Sequence, residues 1–346
     1  MKNSILHNEI MEQPRVVQQL ISDEADHVAQ IASKLRGQFD YVLIAARGTS
    51  DNAARYAQYL FGFYNHMPVA LATPSLFTLY HEPPILGNAL VIAISQSGQS
   101  PDIVEVVTEG NRQGRPTIAI TNDPHSPLAA QATHVITLQA GPERAVAATK
   151  TYTTSLAALA LFSAMLESDR QRFSQLEQMP VLMEKTLNSL DEVLARAERY
   201  RYMDHCAVIG RGFNYSTAFE IALKIKELTR TVAEPYSSAD FRHGPIAMVR
   251  DGFPVIVVSP TGSVSTDVSD LVLDLKKRGG ELLLISEDRN LLELAQLAMP
   301  IPGGLPEWLT PLVTVLPGQL FALALTEAKG FDPDRPSGIT KVTETL

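Results

Sequence analysis

The chain carries two copies of one pattern. An apolar run ending Ile44-Ala45-Ala46-Arg47-Gly48 has a counterpart ending Val208-Ile209-Gly210-Arg211-Gly212, so Gly48 and Gly212 stand 164 residues apart. Each run leads into a polar turn and an Ala-rich helical stretch. The run 91–94, opening onto Ser95 and Gly98, answers the run 256–258, opening onto Ser259 and Gly262, at the same offset. Ile120-Thr121-Asn122-Asp123 then answers Ile285-Ser286-Glu287-Asp288, displaced by a single further residue. Three matches held in register identify a duplicated supersecondary unit, and each copy is expected to build the same sheet.

A chain of 346 residues is long enough for two such units, each burying its own core. Apolar runs at 41–46, 69–72, 90–94, 117–121 and 135–138 alternate with helical stretches, and a second set includes 207–209, 255–258 and 282–285. Fully apolar strands joined by crossover helices imply parallel sheets covered on both faces. The fold class is therefore α/β, with two tandem doubly wound parallel-sheet domains. The expected organisation is a helical segment over 1–36, interrupted at Pro14, and a first domain over 37–168. A charged linking helix over 169–201, a second domain over 202–330 and an extended tail over 331–346 complete it. A tail of that length normally lies on something.

Charge and composition remove several classes of function. A net charge of −9 without Lys/Arg clusters opposes nucleic acid or anionic membrane as the main partner. Residues 1–13 lack the continuous apolar core of a secretory signal, so a cytoplasmic location is expected. The apolar run 156–166 falls short of the roughly 20 residues that span a bilayer and is read as a buried helix. Cys206 is the only cysteine, and its neighbour His205 points to the opposite face of a strand, which argues against a nucleophilic pair. The histidines show no zinc spacing, so neither a metal nor a cofactor is expected. Gly210-Arg211-Gly212 lacks the third glycine of a dinucleotide fingerprint, that position being Tyr215.

The loop Ser95-Gln96-Ser97-Gly98-Gln99-Ser100 follows a strand and precedes a helix. Its hydroxyls, amides and the positive end of the following helix suit a phosphate that needs no lysine of its own. The same residues would also serve an ordinary capped βα turn. In the second copy Pro260 replaces Gln96 and removes a backbone donor, which leaves one competent phosphate loop per chain. Gly48-Thr49-Ser50 also follows a strand end, where open parallel sheets bind their ligands.

Glu220, Lys224 and Glu227 recur at i, i+4 and i+7, on one helical face flanked by Ile221, Leu223, Ile225 and Leu228. Such a row is either a solvated ion-pair ladder or a partly buried acid held ionised by a lysine. The second arrangement suits a base that removes a proton from carbon beside a carbonyl or imine, with Glu227 the candidate. His243, beyond an irregular loop expected over 233–240, could open a sugar ring by exchanging a proton with the ring oxygen. Lys341 in the tail is either surface decoration or a Schiff-base lysine.

These residues together resemble the SIS (sugar isomerase) domain family, in its flavodoxin-like tandem form. The chain is similar to the isomerase half of glucosamine-6-phosphate synthase over essentially its whole length. The matching pieces are Glu9-Ile10-Met11-Glu12-Gln13-Pro14, Gly48-Thr49-Ser50, the Ser95 loop, Ala140-Gly141-Pro142-Glu143 and Val146-Ala147-Ala148-Thr149-Lys150. They continue with Ala222-Leu223-Lys224-Ile225-Lys226-Glu227, His243-Gly244-Pro245 and Asp332-Pro333-Asp334-Arg335-Pro336 with Lys341. The resemblance implies that Ser50, Ser95, Gln96, Ser97 and Ser100 hold a sugar phosphate. It implies that Glu227 shuttles a proton between C1 and C2, that Lys341 engages the ketose carbonyl and that Lys224 supports the open chain. It further implies a homodimer in which His243 assists ring opening from the neighbouring subunit.

Two departures stand out. Ala148 occupies a position where the family carries a substrate-facing serine, and the sequence, beginning Met1-Lys2-Asn3, shows no glutaminase domain. Without an ammonia source the chain resembles the stand-alone glucosamine-6-phosphate deaminases. The expected reaction is deamination and isomerisation of glucosamine 6-phosphate to fructose 6-phosphate and ammonia. A fructosamine-6-phosphate deglycase and a non-catalytic sugar-phosphate sensor are the alternatives.

Overall fold

The computed structural model describes residues 4–341 and contains two compact units. One comprises residues 15–143, 150–178 and the described end of the chain from Thr340; the other comprises the residues before Arg15, 144–149 and 179–339. The first is built on a five-stranded sheet of β1 (Tyr41–Ala46), β2 (Val69–Leu71), β3 (Ala89–Ile94), β4 (Thr117–Thr121) and β5 (His134–Thr137). All its pairings are parallel, in the order β2-β1-β3-β4-β5. The second is built on β6 (His205–Gly210), β7 (Val232–Ser237), β8 (Pro254–Val258), β9 (Glu281–Ser286) and β10 (Leu297–Pro300). Its order, β10-β9-β8-β6-β7, is the same one read from the other edge, again all parallel. The duplication visible in the sequence is thus a duplication of topology.

The strands are apolar because helices cover both sheet faces. Val42, Leu90, Val91, Ile92, Ile118 and Ile120 are fully buried in the first unit, and Val208, Ile209, Val255, Ile256, Leu283 and Leu284 in the second. Each such side chain contributes about 1.5–3 kcal/mol of burial. The run 156–166 lies in the helix Lys150–Leu166, which is buried almost throughout. A longer apolar helix, Thr310–Ala328, forms the core of the second unit. Among the described residues, the stretch Glu307–Ala328 is the one long and apolar enough to cross a membrane, and its most apolar part is buried inside the fold.

The structure corrects three expectations. Residues 169–201 form short helices at Arg170–Glu177, Met179–Leu187 and Asp191–Arg196 and a 3₁₀ turn at Ala197–Tyr200, not one long helix. Pro180 starts a new helix because its ring and missing N–H cannot continue the previous one, and Asn188-Ser189-Leu190 interrupts the next. Residues 232–237 form the edge strand β7 and not an irregular loop; an edge position tolerates Pro235 because its outer side needs no ladder donor. Pro14 lies in the first turn of the helix Gln13–Leu35, where proline is accommodated, and the break falls at Glu12.

Inside the second unit the two chain ends meet. The Asp334 carboxylate accepts the backbone N–H groups of Ile5 and Leu6, both at 2.9 Å, and so caps the first helix. Glu9 on that helix accepts from the backbone of Arg144 at 2.6 Å and Ala145 at 3.2 Å, which fixes the 144–149 segment.

Candidate active site

In the first unit, β1 and β3 are neighbours in register up to Ala46 opposite Ile94, so the loops that follow them emerge side by side. This is where the strand order of the sheet reverses, the usual place for a ligand in an open parallel sheet. Gly48, at φ +54°, turns the chain into the helix Thr49–Tyr64. Thr49 and Ser50 sit half-buried in its first turn. The Ser95 loop is shaped by its own hydroxyls. Ser95 Oγ accepts from Gly98 N at 3.1 Å and Ser97 Oγ from Gln99 N at 3.3 Å, while the Gln96 carbonyl accepts from Asn122 N at 3.1 Å. Ser100 starts the helix Pro101–Arg112 without capping it through its side chain.

Gly98 is required twice over. Its φ of +62° is left-handed, and a Cβ there would lie 2.1 Å from Ser126 Oγ. Gly98→Ala is expected to lower the free energy of unfolding by about 1–3 kcal/mol. The check is a fall in the urea midpoint; an unchanged midpoint would mean that the loop is not held this tightly.

The second copy of the loop is occupied by the chain's own carboxylates. Glu307 Oε2 accepts from both the backbone N and the Oγ of Ser263 at 2.9 Å, and Glu287 Oε1 accepts from Thr261 N at 2.8 Å. A Cβ on Gly262 would run into the Glu307 side chain. Beyond the loss of a donor at Pro260, this loop has its anion built in.

An Arg–Asp pair, which sequence reading missed, supports each loop. Arg47 follows β1 and binds the fully buried Asp102 at 2.8 Å. Arg211 follows β6 and binds Asp267, also at 2.8 Å. The signal was present, because these residues repeat at offsets of 164 and 165. Asp267 is also gripped by Arg242 at 2.9 Å and by the Ser238 hydroxyl. Partial burial pushes its carboxyl up, but the Ser238 hydroxyl and the two guanidinium groups outweigh this and hold it below the ordinary aspartate value.

Glu220, Lys224 and Glu227 lie on the helix Tyr215–Thr229 of the second unit, and they are not a solvated ladder. Glu220 and Lys224 are buried to within 1% of fully, and the Glu227 side chain retains 24% exposure. Lys224 Nζ lies 2.5 Å from Glu227 Oε2 and 3.5 Å from Glu220 Oε1. One carboxylate thus lies behind the lysine, and the other, on the same cation, reaches accessible space. His243 stands exposed at the end of the helix Ser238–Arg242. That helix is tied to Asp267 through Arg242.

Lys341, in the described end of the first unit, is anchored. Its Nζ lies 2.8 Å from Oε2 of Glu143, whose buried carboxylate also takes Thr151 N at 3.1 Å and Thr151 Oγ1 at 2.8 Å. Glu143 was legible only as part of a matching motif, without a role. Ala148 lies half-buried in the 144–149 segment, which groups with the second unit. Cys206 is buried, and burial pushes its thiol up to about 12, which removes it as a nucleophile. Among the described residues no cluster of His, Cys, Asp or Glu could hold a metal ion.

The repeated 2-1-3-4-5 sheet with a hydroxyl-rich loop at its switch point defines a tandem phosphosugar-type fold, and this chain belongs to the SIS domain family. The family's model matches residues 38–165 and 201–326. Among relatives, the glutamine–fructose-6-phosphate aminotransferase (isomerizing) of Pyrococcus horikoshii is 33% identical over 338 residues, covering 96% of this chain and 56% of its own length. The Aquifex aeolicus protein of the same name is 33% identical over 336 residues, with the same coverage. The chain therefore spans little more than half the length of these relatives. The C-terminal domain of glucosamine-fructose-6-phosphate aminotransferase from Francisella tularensis superposes with a TM-score of 0.88 at 27% identity, covering 96% of this chain and 98% of that one. Glucosamine-6-phosphate deaminase from Thermotoga maritima superposes with a TM-score of 0.81 over 99% of this chain and all of its own; at 20% identity this is a likeness of fold.

Proposed function

We propose that this protein converts glucosamine 6-phosphate and water to fructose 6-phosphate and ammonia. The observation that carries the reading is Glu227, a partly accessible carboxylate held 2.5 Å from a buried lysine on a helix of the second unit. In this reading the serines of the 95–100 loop and Ser50 bind the phosphate, and the Ser95 and Ser97 hydroxyls exchange their bonds to Gly98 and Gln99 for bonds to its oxygens. His243 opens the pyranose ring, supplied by the neighbouring subunit of a homodimer, whose size in solution is the check. Glu227 takes the proton from C2 of the open aldehyde and returns it to C1, leaving an imine at C2 that water hydrolyses. Lys224 keeps Glu227 ionised and in place. Lys341, released from Glu143, meets the carbonyl. The similarity to relatives named for isomerising amino transfer to fructose 6-phosphate supports an amino sugar as substrate. The test is to incubate the purified chain with glucosamine 6-phosphate and follow ammonia and fructose 6-phosphate together. Appearance of both in equal amounts is the expected result; binding of the sugar phosphate with neither product would leave a sensor, not an enzyme.

A further inference from the structure

We propose that Asp267 is the positioning residue for His243, holding the short helix that carries the histidine at both of its ends. The inference rests on His243 opening the pyranose ring, as above. The helix Ser238–Arg242 has five residues, too few to persist without support from the rest of the fold. His243 follows it directly, is exposed, and among the described residues has no hydrogen-bond partner for its imidazole. Where the ring stands is therefore set by the backbone that carries it, and so by whatever fixes that helix.

One carboxylate gathers the whole element. The Ser238 hydroxyl, at the first position, donates to Asp267 Oδ2. Arg242, at the last, donates from one guanidinium nitrogen to Asp267 Oδ1 at 2.9 Å and from another to the Asp267 carbonyl at 2.7 Å. Arg211, which follows β6, donates to Asp267 Oδ2 at 2.8 Å and to the Ser238 hydroxyl at 3.2 Å. Bonds to an ionised acceptor are about twice as strong as neutral ones. Asp267 also lies in the first turn of the helix Ser265–Lys277, where the macrodipole favours a negative charge. Phe241, between the two tied residues, is fully buried and packs on Tyr236 with ring centroids 5.3 Å apart. The helix is thus pinned at its start, middle and end, and the histidine leaves from a pinned end.

The first copy shows that this grip on the helix is extra. There Arg47 meets Asp102 as Arg211 meets Asp267, yet among the described residues Asp102 Oδ1 takes no hydrogen bond. The residue 164 positions before Arg242 is Thr78, and the helix after β2, Ser75–Thr78, contains no arginine. The position that matches His243 is Leu79. The half with a histidine on this crossover is the half whose acid also holds the crossover helix. The half without one ties only a strand end to a helix start.

The chemistry explains the need. Ring opening breaks the C1–O5 bond, whose electron pair goes to O5, as a proton leaves O1 and one arrives at O5, and the aldehyde forms with no change of oxidation state. A group that moves such a proton must stand about 2.6–3.2 Å from the oxygen it serves. A displacement of about 1 Å costs about 10²-fold in rate. An exposed imidazole takes that precision from its helix. In this reading neither phosphate binding by the 95–100 loop nor proton transfer by Glu227 draws on Asp267, so breaking the clamp falls on ring opening.

The full chain and its Asp267→Asn, His243→Gln and doubly substituted forms are compared on glucosamine 6-phosphate, with inorganic phosphate as a competing ligand. Asparagine keeps the shape of aspartate, so the variant removes the charge that gathers the two arginines. Asp267→Asn is expected to lower kcat by about tenfold or more while the inhibition constant of inorganic phosphate changes less than about twofold. The double variant is expected to be no slower than His243→Gln alone, since an effect passed through the histidine cannot be lost twice. Losses that multiply, or a kcat unchanged by Asp267→Asn, overturn the positioning role and leave the deaminase standing. A His243→Gln protein as fast as wild type overturns the histidine's part in ring opening and the positioning role with it. A wild type that releases no ammonia overturns the deaminase and this role together. Should Asp267→Asn fail to fold, Arg242→Lys keeps the cation without the two-pronged contact and is expected to repeat the pattern with a smaller fall; a full-speed Arg242→Lys protein overturns the role.

Discussion

Glu227→Gln is expected to lower kcat for ammonia release by about 10²–10⁴, the range lost when a positioned general base is removed. The amide keeps the shape of the side chain and still accepts from Lys224, so the fold and the hold on the phosphate survive. KM for glucosamine 6-phosphate should then change little, because in the proposed reading the phosphate contacts fall to the 95–100 loop. The decisive companion measurement is exchange of the C2 proton with deuterium from solvent, which must fall in parallel with turnover. A variant that retains full exchange would move the proton shuttle to another residue.

Lys224→Met is expected to cost about 3–5 kcal/mol of stability, the usual penalty for removing one partner of a buried ion pair. The size of the effect comes from Glu220, which has no exposed surface and has Lys224 Nζ 3.5 Å away. Methionine fills a similar volume, so the loss reports the missing cation and not a cavity. Adding Glu220→Gln to Lys224→Met should recover most of the stability while leaving the protein inactive, because Glu227 would still lack its cation. Urea unfolding of the two variants checks this. A Lys224→Met protein as stable as wild type would show that the row is solvated after all.

What could be read from the residues was whatever repeats or is forced by chain chemistry. The sheets were legible because a strand buried on both faces must be continuously apolar: β1, β3, β4, β8 and β9 fall within one residue of the runs seen in the sequence. β7 was missed because a sheet edge relaxes that demand and admits Pro235. The charged stretch 169–201 hid its breaks because its polar residues occur in helices and turns alike. The Glu220–Lys224–Glu227 spacing gave a shared face but not its burial, which is set by packing against the apolar helix Thr310–Ala328, distant in sequence. Glu143 and Glu307 were beyond reach for the same reason, since each meets its partner across the fold. Lys341 lies 198 residues from Glu143, and Glu307 lies 44 from Ser263.

Glu307 has a thermodynamic consequence. A ligand stabilises a protein only in proportion to its preference for the folded form, by RT ln(1 + [L]/Kd). Where a tethered carboxylate already satisfies the donors of Ser263, added sugar phosphate has nothing to gain. Saturation with substrate should therefore slow hydrogen exchange in the 95–100 loop and leave the loop at 259–264 unmoved, making two topologically matched loops unequal in their resistance to opening.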